Sequence, residues 1–306
     1  MFKKEMKKTI LVAGATGHLG SMICLALAER GAAVKALVRP ESDPEKIAFL
    51  TRNGIAPVSA QYSDLKSLAE ACKGADCIIS ALAGLGEVIV EHQSALLDAA
   101  IMSRVKRFIP SDFCTDYNPL VPGENRNFDL RRKFKGYIDG KTIAATSVFN
   151  GAFADILKYN TPILDLKNKT IGYWGEQADW KLDFTTMENT AAFTAETALQ
   201  EKTPRNLHIA SFQVSPNSLA QIIESITNEH FTVHKISELD QFAKFIRKQQ
   251  EDNPSGEMEL YAKWQQAQYM YSMFTTQHPS LDNQTSKQIE WSSAADYLRT
   301  FINQAG

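Results

Sequence analysis

The chain has 306 residues, enough for one large or two modest domains with a full core. With 44% hydrophobic and 22% charged residues it reads as an ordinary folded protein, and its net charge of −2 gives no bulk electrostatic reason to bind nucleic acid or a bilayer. No run approaches the roughly 18 apolar residues of a membrane-spanning helix, and the apolar stretch behind the basic leader MFKKEMKK ends at Ala13, too short for a secretory signal. The expectation is therefore a cytoplasmic protein with no membrane partner and no direct nucleic-acid partner. Cys24, Cys72, Cys77 and Cys114 form no CxxC pair and no zinc-finger spacing, so they read as reduced thiols and no metal site is expected.

Residues 10–13 form an apolar strand that ends in Gly14-Ala15-Thr16-Gly17-His18-Leu19-Gly20. A helix over 22–30 and a second strand over 34–38 follow. A glycine-rich turn between a strand and a helix is the start of a dinucleotide-binding βαβ unit. Gly14 permits the tight turn, Gly17 lets the backbone approach a pyrophosphate, and Gly20 lets helix and strand pack closely. The phosphates then meet unpaired N–H groups and the positive end of the helix dipole. The second strand stops at Arg39, where NAD-preferring sites carry an acidic residue for the ribose 2′-hydroxyl. An arginine suits a 2′-phosphate instead, and Lys46 adds a second positive charge, so NADP(H) is the expected cofactor.

The alternation continues. A helix is predicted over 45–53, a weak strand over 57–59, a helix over 65–72 and a strand over 77–81. A long helix over 88–103, a strand over 107–109 and a strand over 142–149 complete the pattern. It predicts a parallel, doubly wound α/β sheet with right-handed crossovers, the Rossmann arrangement, over residues 1–150. The ligand belongs at the carboxyl edge, where the strand order switches between strands one and four. Ser80, Ala81 and Leu82 line that cleft, and Ser111, Asp112 and Phe113 leave strand five on the same edge. Residues 151–306 lose the rhythm and read as a smaller α+β substrate domain, with 208–214 a candidate to return to the sheet. Helices are predicted over 217–227, with Leu219, Ile222, Ile223 and Ile226 on one face, and over 257–274, whose aromatic stripe reads as core. Trp174 and Trp180 suggest an aromatic-lined pocket, and the hydroxyls of Thr185 and Thr186 suit a helix cap.

GATGHLG (14–20), VRPESDPEK (38–46), KGADCIISALAG (73–84), VKRFIPSDF (105–113), FNGAFADIL (149–157) and WSSAADYLRTFI (291–302) occur in this order. Together they resemble the NmrA-like and isoflavone-reductase-like branch of the atypical short-chain dehydrogenases. The resemblance implies an NADP(H) domain carrying a substrate domain. It also implies a lysine, in a Phe-x-x-Lys motif about a helix beyond the IPS-type segment, acting as general acid/base. Here the ungapped position is Arg131, and Lys133 is the nearest substitute. An arginine holds its proton at any working pH, so it can bind an oxyanion but not serve as an acid or base. The Gly-Asp pair usual near the adenine is replaced by Ala60-Gln61, whose amide can still bond the adenine edge. Tyr62-x-x-x-Lys66 matches the catalytic pair of ordinary short-chain dehydrogenases but falls at the adenine end. Phe149, Asn150, Gly151 and Phe153 follow strand six and are expected to contact substrate.

Two functional readings follow. The first is an NADPH-dependent reductase of a small aromatic or conjugated substrate, with Arg131 or Lys133 stabilising negative charge and Lys133 or water supplying the proton. The alternative is a non-catalytic NAD(P) sensor that regulates a protein partner, motivated by the missing lysine. A nucleotide-sugar epimerase or dehydratase ranks last, because it needs a Tyr-x-x-x-Lys pair near the nicotinamide.

Overall fold

The computed structural model describes residues 7–278 and 280–302. The chain forms β1 (Thr9–Ala13), α1 (His18–Glu29), β2 (Ala33–Val38), α2 (Pro44–Arg52), β3 (Ala56–Ser59), α3 (Leu65–Cys72), β4 (Cys77–Ser80), α4 (Gln93–Met102), β5 (Arg107–Ile109), α5 (Arg126–Asp139) and β6 (Ala144–Ala145). These strands make one parallel sheet in the order β3-β2-β1-β4-β5-β6. β1 and β4 lie at its centre. Ile10 to Ala13 and Cys77 to Ser80 are wholly buried, as expected for a parallel sheet covered on both faces. The edge strand β3 is mostly exposed. Local signals set the helix starts: Asp43 accepts the Glu45 N–H ahead of Pro44, and Asp64 accepts the Lys66 and Ser67 N–H groups.

Two predicted elements are divided. The helix expected over 88–103 is a π-helical segment, Glu87–His92, running into α4. The strand expected over 142–149 is β6 followed by β7 (Ser147–Phe149), and only β6 belongs to the six-stranded sheet.

Beyond β7 come β8 (Ala152–Phe153), β9 (Thr170–Trp174), β10 (Leu182–Thr185), α6 (Met187–Leu199), β11 (Asn206–His208), β12 (Phe212–Val214), α7 (Pro216–Thr227), β13 (Thr232–Ser237), α8 (Leu239–Asp252), α9 (Lys263–Thr275) and α10 (Ala294–Ile302). The stretch 208–214 does not return to the six-stranded sheet. Its start belongs to β11, which pairs β7, and its end is β12, which pairs β10 in a three-stranded sheet with β8.

The chain divides into two compact units, and the division is not one cut near residue 150. The first holds the residues up to 112 with Leu130–Val148 and Thr190–Leu207; the second holds Phe113–Asp129, Phe149–Asn189 and the residues from 208 onward. Arg107 accounts for the inclusion of 190–207. Its buried guanidinium donates to the carbonyls of Thr197 (2.9 Å) and Ala198 (3.2 Å) at the end of α6 and to Thr203 Oγ1 (2.6 Å). A buried cation in a strand needs acceptors, and a helix C-terminus supplies unpaired carbonyls with a favourable dipole.

In the second unit, Trp174 stacks on Phe242 (4.3 Å between centroids) and meets Phe274 edge-on. Trp180 Nε1 donates to the Met273 carbonyl at 2.9 Å. Both tryptophans thus pack into or against the core of this unit rather than lining an open aromatic pocket. The helix expected over 257–274 begins only at Lys263, after a short 3-10 turn, Pro254–Met258. The Arg126 guanidinium anchors the connecting stretch: it takes the carbonyls of Gly256, Glu257, Glu259 and Leu260 and lies 4.7 Å over the Trp264 ring.

Candidate active site

The glycine loop is built by steric need. Gly14 has φ +78°, and a Cβ there would lie 2.4 Å from the Ala81 carbonyl oxygen. A Cβ on Gly20 would lie 2.1 Å from the Gly14 oxygen. A Cβ on Gly17 would meet only the Gly14 oxygen, tightly at 3.2 Å, and the Gly17 N–H closes the turn onto that oxygen at 2.9 Å. Gly17 caps α1 with no side-chain bond, leaving the first-turn amides of His18 and Leu19 for a ligand. Thr16, Gly17, His18, Ser21, Lys46 and Phe49 border a cleft of about 510 Å³ here. Arg39 is 61% exposed at the end of β2 and pairs with Glu41 at 3.2 Å, outside that cleft lining. An exposed pair of this kind is worth only about 0–1 kcal/mol, so the guanidinium exchanges partners readily. Gln61 is exposed just beyond β3, next to buried Ala60. Tyr62, of the chance Tyr-x-x-x-Lys match, stacks on His92 at 4.7 Å.

At the carboxyl edge of the sheet, the ends of β1, β4 and β5 are tied together. Ala81 N donates to Ala13 O (2.9 Å), and Ser111 Oγ donates to Leu82 O (2.6 Å). Ser111 N donates to Gln93 Oε1 at 3.0 Å, and Gln93 Nε2 returns to Ile89 O at 2.7 Å. Gln93 is a neighbour of Ser111 that sequence reading missed; it is a buried amide at the junction of the π-helical segment with α4. Arg131 Nε donates to Ser111 O at 3.1 Å, so Arg131, Ser111 and Leu82 come together, whereas Lys133 is exposed on α5 and is not part of this cluster. Asp112 turns the other way and accepts Ser147 Oγ at 2.6 Å. Ser80 Oγ is buried with no hydrogen-bond partner among the described residues. An orphaned hydroxyl at the switch point, a loop whose glycines cannot bear side chains, and a basic residue at the cleft all fit a dinucleotide.

In the second unit, Phe113 is buried. Phe149 and Asn150 are fully buried, and Phe153 is partly exposed. Phe149 packs in a cluster with Cys114, Tyr117, Leu120 and Phe128. Asn150 N donates to Cys114 O (3.1 Å) and Thr185 Oγ1 to Asn150 O (2.6 Å). Gly151 has φ +64°, and a Cβ there would lie 2.3 Å from the Asp183 oxygen. Thr186 Oγ1 accepts the Asn189 N–H, the expected cap of α6. Beside this turn lies an Asp116–His208 pair at 2.8 Å that sequence reading did not find, because its partners are 92 positions apart. Burial would raise the Asp116 carboxyl, but hydrogen bonds from His208 and Asn118 outweigh it and hold the group below the usual range. Among the described residues no group of three or more His, Cys, Asp or Glu side chains is arranged to hold a metal.

A family model described as the NmrA-like family matches residues 6–299. The chain belongs to the NmrA-like family. Pinoresinol reductase 1 of Arabidopsis thaliana is 26% identical over 325 aligned positions, covering 98% of this chain and 99% of that protein. The Zea mays protein "Isoflavone reductase homolog IRL" is 41% identical over 116 positions, covering 36% of this chain and 37% of the relative. The solved structure of AtPrR2 with NADP+ and (+)pinoresinol superposes with a TM-score of 0.79 at 24% identity, over 98% of this chain and 100% of the other. A crystal structure of isoflavone reductase gives 0.81 at 20% identity, over 97% and 100%. For this NmrA-like protein the solved structures speak to fold. No helix among its described residues is long and apolar enough to cross a membrane.

Proposed function

We propose that this protein is an NADPH-dependent reductase of a small aromatic substrate, of the phenylpropanoid type named for its relatives. The observation that carries the reading is the glycine loop closed against Ala81, followed at the same sheet edge by the Leu82–Ser111–Arg131 cluster. Full-length likeness to a pinoresinol reductase supports it. Gly14, Thr16, Gly17, His18, Leu19 and Gly20 would hold the pyrophosphate, Arg39 and Lys46 the 2′-phosphate, and Gln61 the adenine. Ser80, Ala81, Leu82, Ser111 and Phe113 would border the nicotinamide end. Phe149, Asn150, Gly151 and Phe153 would contact substrate. When bound, the nicotinamide supplies a hydride.

Arg131 is the residue assigned to the negative charge that develops on the substrate. Its Nε is fixed by the Ser111 carbonyl, so the planar fork is oriented before substrate arrives. As an arginine it keeps its own proton at any working pH, so water delivers the proton that the family lysine would otherwise supply. Lys133, being exposed, has the lesser claim. Four buried cysteines with no disulfide among them accord with a reducing cytoplasm.

Calorimetric titration with NADPH and NADH, with Arg39→Ala beside the wild type, tests the cofactor assignment. NADPH should bind more tightly and lose about tenfold in the variant, with NADH unaffected. Equal binding of the two cofactors would overturn the assignment. Tight NADPH binding without turnover of lignans, isoflavones or quinones would favour a regulatory protein with a protein partner.

A further inference from the structure

The turn at 149–151 is backed by groups that titrate, all within the second unit. Asp116 accepts His208 Nε2 at 2.8 Å, and the His208 ring stacks on Phe149 with centroids 5.5 Å apart and 21° between planes. His208 Nδ1 lies 3.9 Å from Asp282 Oδ2, and the two residues exchange bonds: His208 N to the Asp282 carboxylate at 2.8 Å, and Asp282 N to His208 O at 2.7 Å. A second ring, that of His278, sits 5.0 Å from His208. The His278 side chain is 1% exposed, and neither ring nitrogen has a hydrogen-bond partner among the described residues. Its backbone N–H is held by Asp183 Oδ2 at 2.9 Å, while Nε2 stands 4.0 Å from the same oxygen. Asp183 is the residue whose backbone oxygen abuts Gly151.

The two histidines are placed differently. A charge on His208 lies between the carboxylates of Asp116 and Asp282. A charge on His278 would be buried, with no hydrogen bond, beside His208 and with Asp183 as its nearest counter-charge. Burial therefore depresses His278 below its ordinary value; Asp183 opposes this, His208 reinforces it, and Asp116 and Asp282 oppose it from further away. A neutral buried imidazole is the stable form at neutrality, and forcing a proton onto it strains what it packs against.

We propose that His208 is a positioning residue for the 149–151 turn, and that His278 makes this brace acid-sensitive: with His278 neutral the turn is held, and charging His278 loosens it. The consequence for catalysis rests on reading 149–151 as the substrate-contacting turn; the brace does not depend on that reading.

The test is nuclear magnetic resonance on the full chain, following the histidine rings and the Asn150 and Gly151 amides from about pH 7.5 to about pH 5. In the wild type the two amides should shift in step with His278. His278→Gln should leave them independent of pH. His208→Gln, which can still donate to Asp116, should preserve the neutral-pH amide positions, whereas His208→Ala should displace them. In parallel, KM for pinoresinol should rise about tenfold toward acid in the wild type and stay flat in His278→Gln, with NADPH affinity unchanged in both. Amides that ignore the His278 titration overturn the proposal, as does a His278→Gln profile that copies the wild type. The wild-type titration alone decides if a variant fails to fold. Amides that titrate while KM stays flat leave the brace standing and remove the turn from the substrate site.

Discussion

The glycine loop of the first unit and the histidine cluster of the second solve opposite problems. The loop works by leaving side chains out: Gly14 and Gly20 admit no Cβ, and Gly17 leaves backbone amides facing a cleft. The cluster works by putting polar side chains in, with Asp116, Asp183 and His278 buried, His208 partly buried, and acids set beside the imidazoles. The loop should therefore be insensitive to pH and intolerant of added volume. The cluster should be the reverse, tolerant of isosteric change and sensitive to charge.

The largest expected effect tests the intolerance to volume. Gly20→Val should abolish measurable NADPH binding and lower the urea midpoint, with destabilisation of roughly 3 kcal/mol or more, because the new Cβ would meet backbone at 2.1 Å. Next, Arg131→Met should reduce kcat by about 10²-fold, the usual loss for one oxyanion donor, with NADPH affinity retained. Lys133→Ala should stay within about twofold, since that side chain is solvated. Equal losses at the two positions would contradict the assigned roles. Removing Arg107 tests a buried polar device inside the first unit. Arg107→Met should cost about 3 kcal/mol in thermal unfolding, because it orphans the carbonyls at the end of α6.

The smallest effect concerns acid stability. His278 binds its proton less readily folded than unfolded, so the unfolded chain holds more protons as pH falls below the ordinary value of 6.5. Stability should be full above that value and decline below it, before the carboxylates protonate. His278→Gln should remove this decline and leave the deeper acid transition, to which Asp116 contributes by losing its bonds to His208 and Asn118. Thermal unfolding across the pH range reads both phases.

The same contrast explains what the sequence made legible. The glycine loop and the parallel strand order follow from contiguous residues, because spacing and β-branched runs act locally. Arg131 was legible only through the resemblance, and its contact with Ser111 O spans 20 positions. Arg107 ties β5 to the end of α6 across 90 positions, and Asp116 meets His208 across 92. Buried polar pairs of this kind have no local periodicity, so no window of sequence reveals them. Arg126 likewise reaches carbonyls 130 to 134 positions away, in the stretch before α9.

The most direct test of the central claim is NADPH oxidation by the purified protein with pinoresinol and with an isoflavone, with the product identified by mass spectrometry and Arg131→Met run in parallel. The account predicts substrate-dependent NADPH consumption, a product heavier by two hydrogens, and a loss of about 10²-fold in the variant. Tight NADPH binding with no substrate-dependent oxidation, or turnover unchanged in Arg131→Met, would contradict it.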